Sequence, residues 1–202
     1  MNQSTIIPNK KSPFSRWRTV DLITVAILAA ALGVAFWGYD TYIYPWVGAV
    51  TAFYPPIGEL QLGVWIIPAV AGMLLVRKPG AALFAELVAA NLELLLGNSW
   101  GITVLVSGAL QALGVELVFL LIGYRAFNAR FAMVGAMLSA IFEVFYEFVS
   151  WVPNYSFENK AVYMVCGIIS GAVVAGLGGW TLIGALAKTG ALNAFAVGRE
   201  RS

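Results

Sequence analysis

The sequence predicts an all-α integral membrane protein with six transmembrane helices, and three observations carry that expectation. Of its 202 residues, 60% are hydrophobic and only 11% charged, too little polar surface to cover a water-soluble core of this composition. The apolar residues gather in windows of about 20, the helix length that crosses a hydrocarbon layer roughly 30 Å thick. The basic residues fall between those windows, on alternate connections, as loops kept on the cytoplasmic side do.

In chain order the spans are expected at residues 20–39, 60–76, 80–96, 102–123, 131–151 and 161–187, and together they form a single membrane domain over 1–202. The polar, basic segment 1–18 reads as a cytoplasmic tail, because the apolar run after it is too long for a signal-peptide core. Residues 40–59 form an outer aromatic loop with three prolines, a composition suited to a short interfacial helix followed by a rigid turn. The segment 188–202 is the second cytoplasmic tail. Lys10, Lys11, Arg16, Arg18, Arg77, Lys78, Arg125, Arg130, Lys188, Arg199 and Arg201 share one side of this arrangement, and Lys160 falls on the other. That bias places both termini inside.

Composition also excludes function classes. There is no histidine and a single cysteine, Cys166, so neither an internal disulfide nor a Cys/His metal site is available. Ser/His/Asp and Cys/His catalytic groupings fail for the same reason. The sequence has no G-x-x-x-x-G-K-[ST] phosphate loop. Enzymatic activity, a cofactor and nucleic-acid binding are therefore not expected.

Five glutamates lie inside the expected spans: Glu86 and Glu93 in the third, Glu116 in the fourth, Glu143 and Glu147 in the fifth. No lysine or arginine accompanies them there. An ionised carboxylate near the bilayer centre costs about 2.5–3.5 kcal/mol even on the insertion scale, so these groups need a ligand, a shared proton or water. Spacings of seven and four residues put Glu86 with Glu93, and Glu143 with Glu147, on common helix faces. Helix direction puts Glu93, Glu143 and Glu147 in the outer half, with Gln111 near mid-depth. Trp65, Trp100, Tyr146, Trp151, Tyr54, Tyr42, Tyr44 and Trp46 gather at the same end, where aromatic faces can hold a cation or simply anchor at the interface. An outward-facing acidic, aromatic-walled cavity follows. The competing role for each carboxyl, above all Glu86 and Glu116, is a protonated contact between helices.

Small residues recur four apart at Ala26 and Ala30, Ala31 and Ala35, Gly167 and Gly171, and Ala175 and Gly179. The pattern serves close helix approach, within the chain or against a partner subunit.

Three stretches carry a family resemblance: RKPGAALFAELVAANLELLLGN at 77–98, QALGVELVFL at 111–120 and TGALNAFAVGRE at 189–200. Through them the chain resembles YkoE-type S components, the substrate-binding membrane subunits of energy-coupling-factor (ECF) vitamin transporters, associated with thiamine and its hydroxymethylpyrimidine precursor. The resemblance implies a six-helix subunit of a bacterial cell membrane. It implies capture of the vitamin near the outer face and work with a transmembrane coupling protein and two cytosolic ATPase subunits. Glu86, Glu93, Gln111 and Glu116 lie inside the matching motifs, Tyr146 with Glu147 resembles a family Tyr-acidic pair, and Glu143 matches no such position. The alanine face of the first span resembles the docking patch of such subunits. The expected substrate contacts are thus Glu93, Glu147, Gln111, Glu86, Glu116, Glu143, Tyr146, Trp151, Trp65 and Tyr54, with Ala26, Ala30, Ala31 and Ala35 at the docking face. A proton-coupled transporter of organic cations is the alternative that uses the same residue types.

Overall fold

The structure, a computed structural model, describes residues 16–201; residues 1–15 of the N-terminal tail, Lys10 and Lys11 among them, lie outside the described residues. All regular structure among them is helical: α1 (Thr19–Gly38), α2 (Tyr44–Val50), α3 (Gly63–Val76), α4 (Ala81–Leu96), α5 (Val104–Leu121), α6 (Ala129–Ser150), α7 (Phe157–Ser170), α8 (Gly178–Lys188) and α9 (Ala196–Arg201). π-helical turns at Tyr39–Ile43 and Gly171–Leu177 carry α1 into α2 and α7 into α8. Five stretches among the described residues are long and apolar enough to cross a membrane: Thr19–Val50, Pro55–Val76, Gly101–Leu121, Ala129–Ser150 and Phe157–Lys188. α4, at 16 residues, rises only about 24 Å and packs against α1, α3 and α5.

α3 is the central helix. Eleven of its 14 residues are buried, because it meets α1, α4, α5, α6 and α8 on all sides. A helix apolar all round is expected at such a position. Its closeness to α4 depends on Gly72, where a Cβ would sit 2.7 Å from the Ala81 carbonyl oxygen. Peripheral helices instead turn large apolar side chains outward, such as Ile23, Ile27 and Val34 on α1 and Val106, Leu120 and Leu121 on α5. Lipid tails cover these.

Short polar contacts join the helices where side chains are small. Ser139 on α6 accepts from Val115 N at 3.1 Å and donates to the Gln111 carbonyl, tying α5 to α6. Ser170 on α7 accepts from Gly63 N at 2.9 Å and donates to Leu60 O at 2.6 Å. In hydrocarbon such hydrogen bonds satisfy groups that water cannot reach.

One end of the bundle gathers the basic residues. Asp21, buried at the start of α1, accepts from Arg18 Nη2 at 2.6 Å and Lys78 Nζ at 2.5 Å, and Trp17 Nε1 donates to Pro79 O at 3.1 Å. Arg77 forms a bidentate pair with Glu200 on α9 (2.7 and 2.6 Å) and stacks over Phe127. The start of α1, the α3–α4 turn, the α5–α6 turn and the C-terminal segment therefore meet at this end.

The opposite end holds residues 40–59. This segment, expected as an outer aromatic loop with a short interfacial helix and a rigid turn, contains the end of the first π-helical turn, α2 and a 3-10 helix at Pro55–Gln61. Prolines at 45, 55 and 56 occupy first-turn positions, where their missing N–H costs nothing.

Candidate functional site

That end opens into a cavity of about 410 Å³. α2, the 3-10 helix, α3, α4, α5, α6 and the start of α7 all contribute walls. Helix period decides which side chains reach it: on α4, Glu86, Ala90 and Glu93 lie along one stripe, and on α6, Glu143 and Glu147 do. No lysine or arginine is among the lining residues.

The acidic groups are held differently. Glu86, at the deep end, accepts from Ala69 N at 2.9 Å, next to Pro68, which interrupts the α3 hydrogen-bond ladder. Glu143 accepts from the Ser107 hydroxyl, which in turn accepts from Gln111 Nε2 at 2.9 Å. Glu147 Oε2 accepts from the Tyr163 hydroxyl at 2.9 Å. The Glu93 carboxyl faces Asp40 within hydrogen-bond reach, and Asp40 Oδ1 accepts from Trp65 Nε1 at 3.1 Å. Glu59 Oε1, Glu93 Oε1 and Glu143 Oε2 are buried and accept no hydrogen bond from the described residues. Buried acceptors of this kind call for a donor.

Aromatic rings line the same cavity. Tyr44, Trp65 and Trp100 meet edge to face in a mutual triad, with centroids 5.2 to 5.8 Å apart. Tyr155 and Tyr163 form a second edge-to-face pair at 5.9 Å, and Trp151 lies half exposed at the rim. Burial and the nearby Glu59 carboxyl push the Tyr155 hydroxyl above the ordinary phenol range, so it stays a neutral donor.

Eight of the ten substrate contacts expected from sequence line this cavity: Glu93, Glu147, Gln111, Glu86, Glu143, Tyr146, Trp151 and Trp65. Two lie elsewhere. Glu116 is turned into the helix packing, where it accepts from Ala82 N at 2.9 Å and Tyr124 Oη at 3.0 Å. Tyr54 donates to Asn159 Oδ1 at 3.1 Å, outside the lining. Trp46 and Tyr42 are 74% and 65% exposed and also stand outside it. Sequence reading missed Glu59, Tyr163 and Asp40. Glu59 sat at the end of the segment 40–59, outside the expected spans where carboxyls were sought. At the expected docking face, Ala31 and Ala35 are exposed and Ala26 and Ala30 half-buried, whereas α1 packs inward through Val25, Ala29, Gly33 and Phe36.

The family described as "ABC-type cobalt transport system, permease component" matches residues 20–142. A protein of Bacillus subtilis (strain 168) that carries the name HMP/thiamine permease protein YkoE is 35% identical over 91% of this chain and 92% of its own. A solved structure, "Crystal structure of an S-component of ECF transporter", superposes with a TM-score of 0.84 at 33% identity, covering 92% of this chain and 93% of that one. The chain belongs to the YkoE family of ECF S components. As a YkoE-family protein it is a multi-pass protein of the cell membrane, and the cavity lies within the shared S-component fold.

Proposed function

We propose that the chain captures thiamine or its hydroxymethylpyrimidine precursor from outside the cell and delivers it to an ATP-driven coupling module. The observation that carries this reading is the cavity itself, whose lining combines buried carboxyls with open acceptor sites and aromatic side chains and includes no lysine or arginine. Thiamine is a thiazolium cation joined to an aminopyrimidine. Carboxyls accept from the exocyclic amine and offset the cation, and aromatic faces stack on either ring. The volume falls within the range of small-molecule sites, about 300–1,000 Å³. Carboxyls and rings without imidazole or thiolate suit an organic cation better than a transition metal. The naming of the Bacillus relative as an HMP/thiamine permease supports the same class of ligand.

In this reading Glu93, Glu147, Glu143, Glu86, Gln111, Tyr146, Trp65 and Trp151 contact the ligand, and Ala26, Ala30, Ala31 and Ala35 dock a transmembrane coupling protein. The chain binds and carries, while two cytosolic ATPase subunits hydrolyse ATP. The cavity end faces outward, with segments 1–18 and 188–202 in the cytoplasm. Isothermal titration of the detergent-solubilised chain tests the reading: saturable binding of thiamine or hydroxymethylpyrimidine is expected. Transport on a pH gradient by the chain alone in liposomes would instead favour a proton-coupled transporter.

A further inference from the structure

Two carboxyls from distant parts of the chain meet at the cavity wall. Glu59, on the 3-10 helix, and Glu147, on α6, lie within hydrogen-bond reach of each other. Both line the cavity, and Glu59 is only 8% exposed. Glu59 Oε1 accepts no hydrogen bond from the described residues. The groups facing the pair are Tyr163 from α7, Glu143 one turn away on α6, Tyr44 from α2 and Tyr155 from the α6–α7 connection. All are acids or phenols. The basic residue at this end, Lys160, donates to Pro153 O at 3.1 Å and lies over the Phe148 ring. Two ionised carboxylates in contact, one buried and one half-buried, with no counter-charge among the facing groups, repel each other, and two acceptors cannot hydrogen-bond without a proton between them. The Asp40 and Glu93 contact is similar, but Asp40 is bonded to Trp65 and stands outside the lining, so a ligand reaches the Glu59 and Glu147 pair more directly.

We propose that Glu59 and Glu147 share one proton while the cavity is empty, and that an organic cation entering the cavity takes that proton's place, so that capture exchanges a cation for a proton. The inference rests on the functional reading above. No bond of the ligand changes. The proton leaves the shared O–H group for water at the mouth, the ligand brings one positive charge in, and the charge of the cavity stays the same. A neutral aminopyrimidine brings no fixed charge and leaves the proton where it is. Affinity for the cation then rises with pH, approaching about tenfold per unit for one proton released, while affinity for the neutral ligand does not.

The test is titration calorimetry of the full purified chain with thiamine and with hydroxymethylpyrimidine, at one pH, in phosphate and in Tris, whose ionisation heats differ. Buffer-dependent heat equivalent to about one released proton per thiamine, and none with hydroxymethylpyrimidine, is expected. In Glu59→Gln the amide donates permanently to Glu147, so the buffer dependence should vanish at whatever thiamine affinity remains. The wild-type comparison decides even if that variant does not fold. Thiamine heats that are identical in the two buffers, or equal proton release with both ligands, would overturn the exchange while leaving vitamin capture intact. Absence of binding by either ligand would overturn the functional reading and this inference together.

Discussion

Glu116 on α5 accepts a 2.9 Å hydrogen bond from the backbone N–H of Ala82, in the first turn of α4. The N-cap of α4 is Gly80, with φ of 84° and no side chain to offer, so a first-turn N–H that lacks an intrahelical partner is satisfied from a neighbouring helix. A carboxyl there also complements the positive end of the helix dipole. Tyr124 Oη donates to its other oxygen at 3.0 Å. Glu116 is thus a fastening between helices, set apart from the cavity.

Replacing Glu116 with Ala should destabilise the protein by about 1–3 kcal/mol, the cost of leaving buried polar groups unpaired, and should leave thiamine affinity nearly unchanged. Glu116→Gln keeps an acceptor and should be milder. Thermal unfolding in detergent alongside titration checks both. A collapse of affinity in stable Glu116→Gln would place this residue in the binding machinery.

The cavity carboxyls should behave in the opposite way. Glu93→Gln and Glu147→Gln keep size but remove charge, and each should weaken thiamine binding by about 1.5–3 kcal/mol, or roughly ten- to a hundredfold, with little change in melting temperature. Unchanged titration curves for both folded variants would rule out the cavity as the site.

The exposed alanines of α1 predict a separation of binding from transport. Ala31 is exposed on the face away from the buried Val25, Ala29 and Gly33, so Ala31→Trp should abolish uptake in cells while the isolated chain binds thiamine as before. Loss of binding along with uptake would assign that face to internal packing.

Orientation is checked by cysteine labelling in a Cys166→Ala background. Asn154 and Asn128 are both exposed, at opposite ends of α6. An impermeant thiol reagent applied to cells should label Asn154→Cys and not Asn128→Cys, because the basic residues gather at the Asn128 end. Reversed labelling would invert the protein and put the cavity on the cytoplasmic side.

The fold was largely legible because span length and charge placement are local properties. The α4 window expected at 80–96 is the observed Ala81–Leu96 within a residue. The second helix starts at Gly63 rather than 60 because Pro55–Gln61 winds as a 3-10 helix first, which hydropathy does not register. Site legibility was uneven. Spacing alone put Glu86 with Glu93 and Glu143 with Glu147, since side chains seven or four apart share a helix face.

By itself, then, the sequence determined that the chain lives in lipid, which residues form its helices, and that several helices carry carboxyls no base in the spans can balance. It did not separate Glu93 from Glu116, because each is a glutamate in an apolar helix. The difference lies in the neighbour: Ala82 N for one, Asp40 and an open cavity for the other. Nor did it bring Glu59 to Glu147 or Tyr163 to either, since helix period fixes the face a side chain takes but not the helix it faces. Only the tertiary structure decided that, because the packing of α3 against its neighbours and the turn of the 3-10 helix set which faces meet.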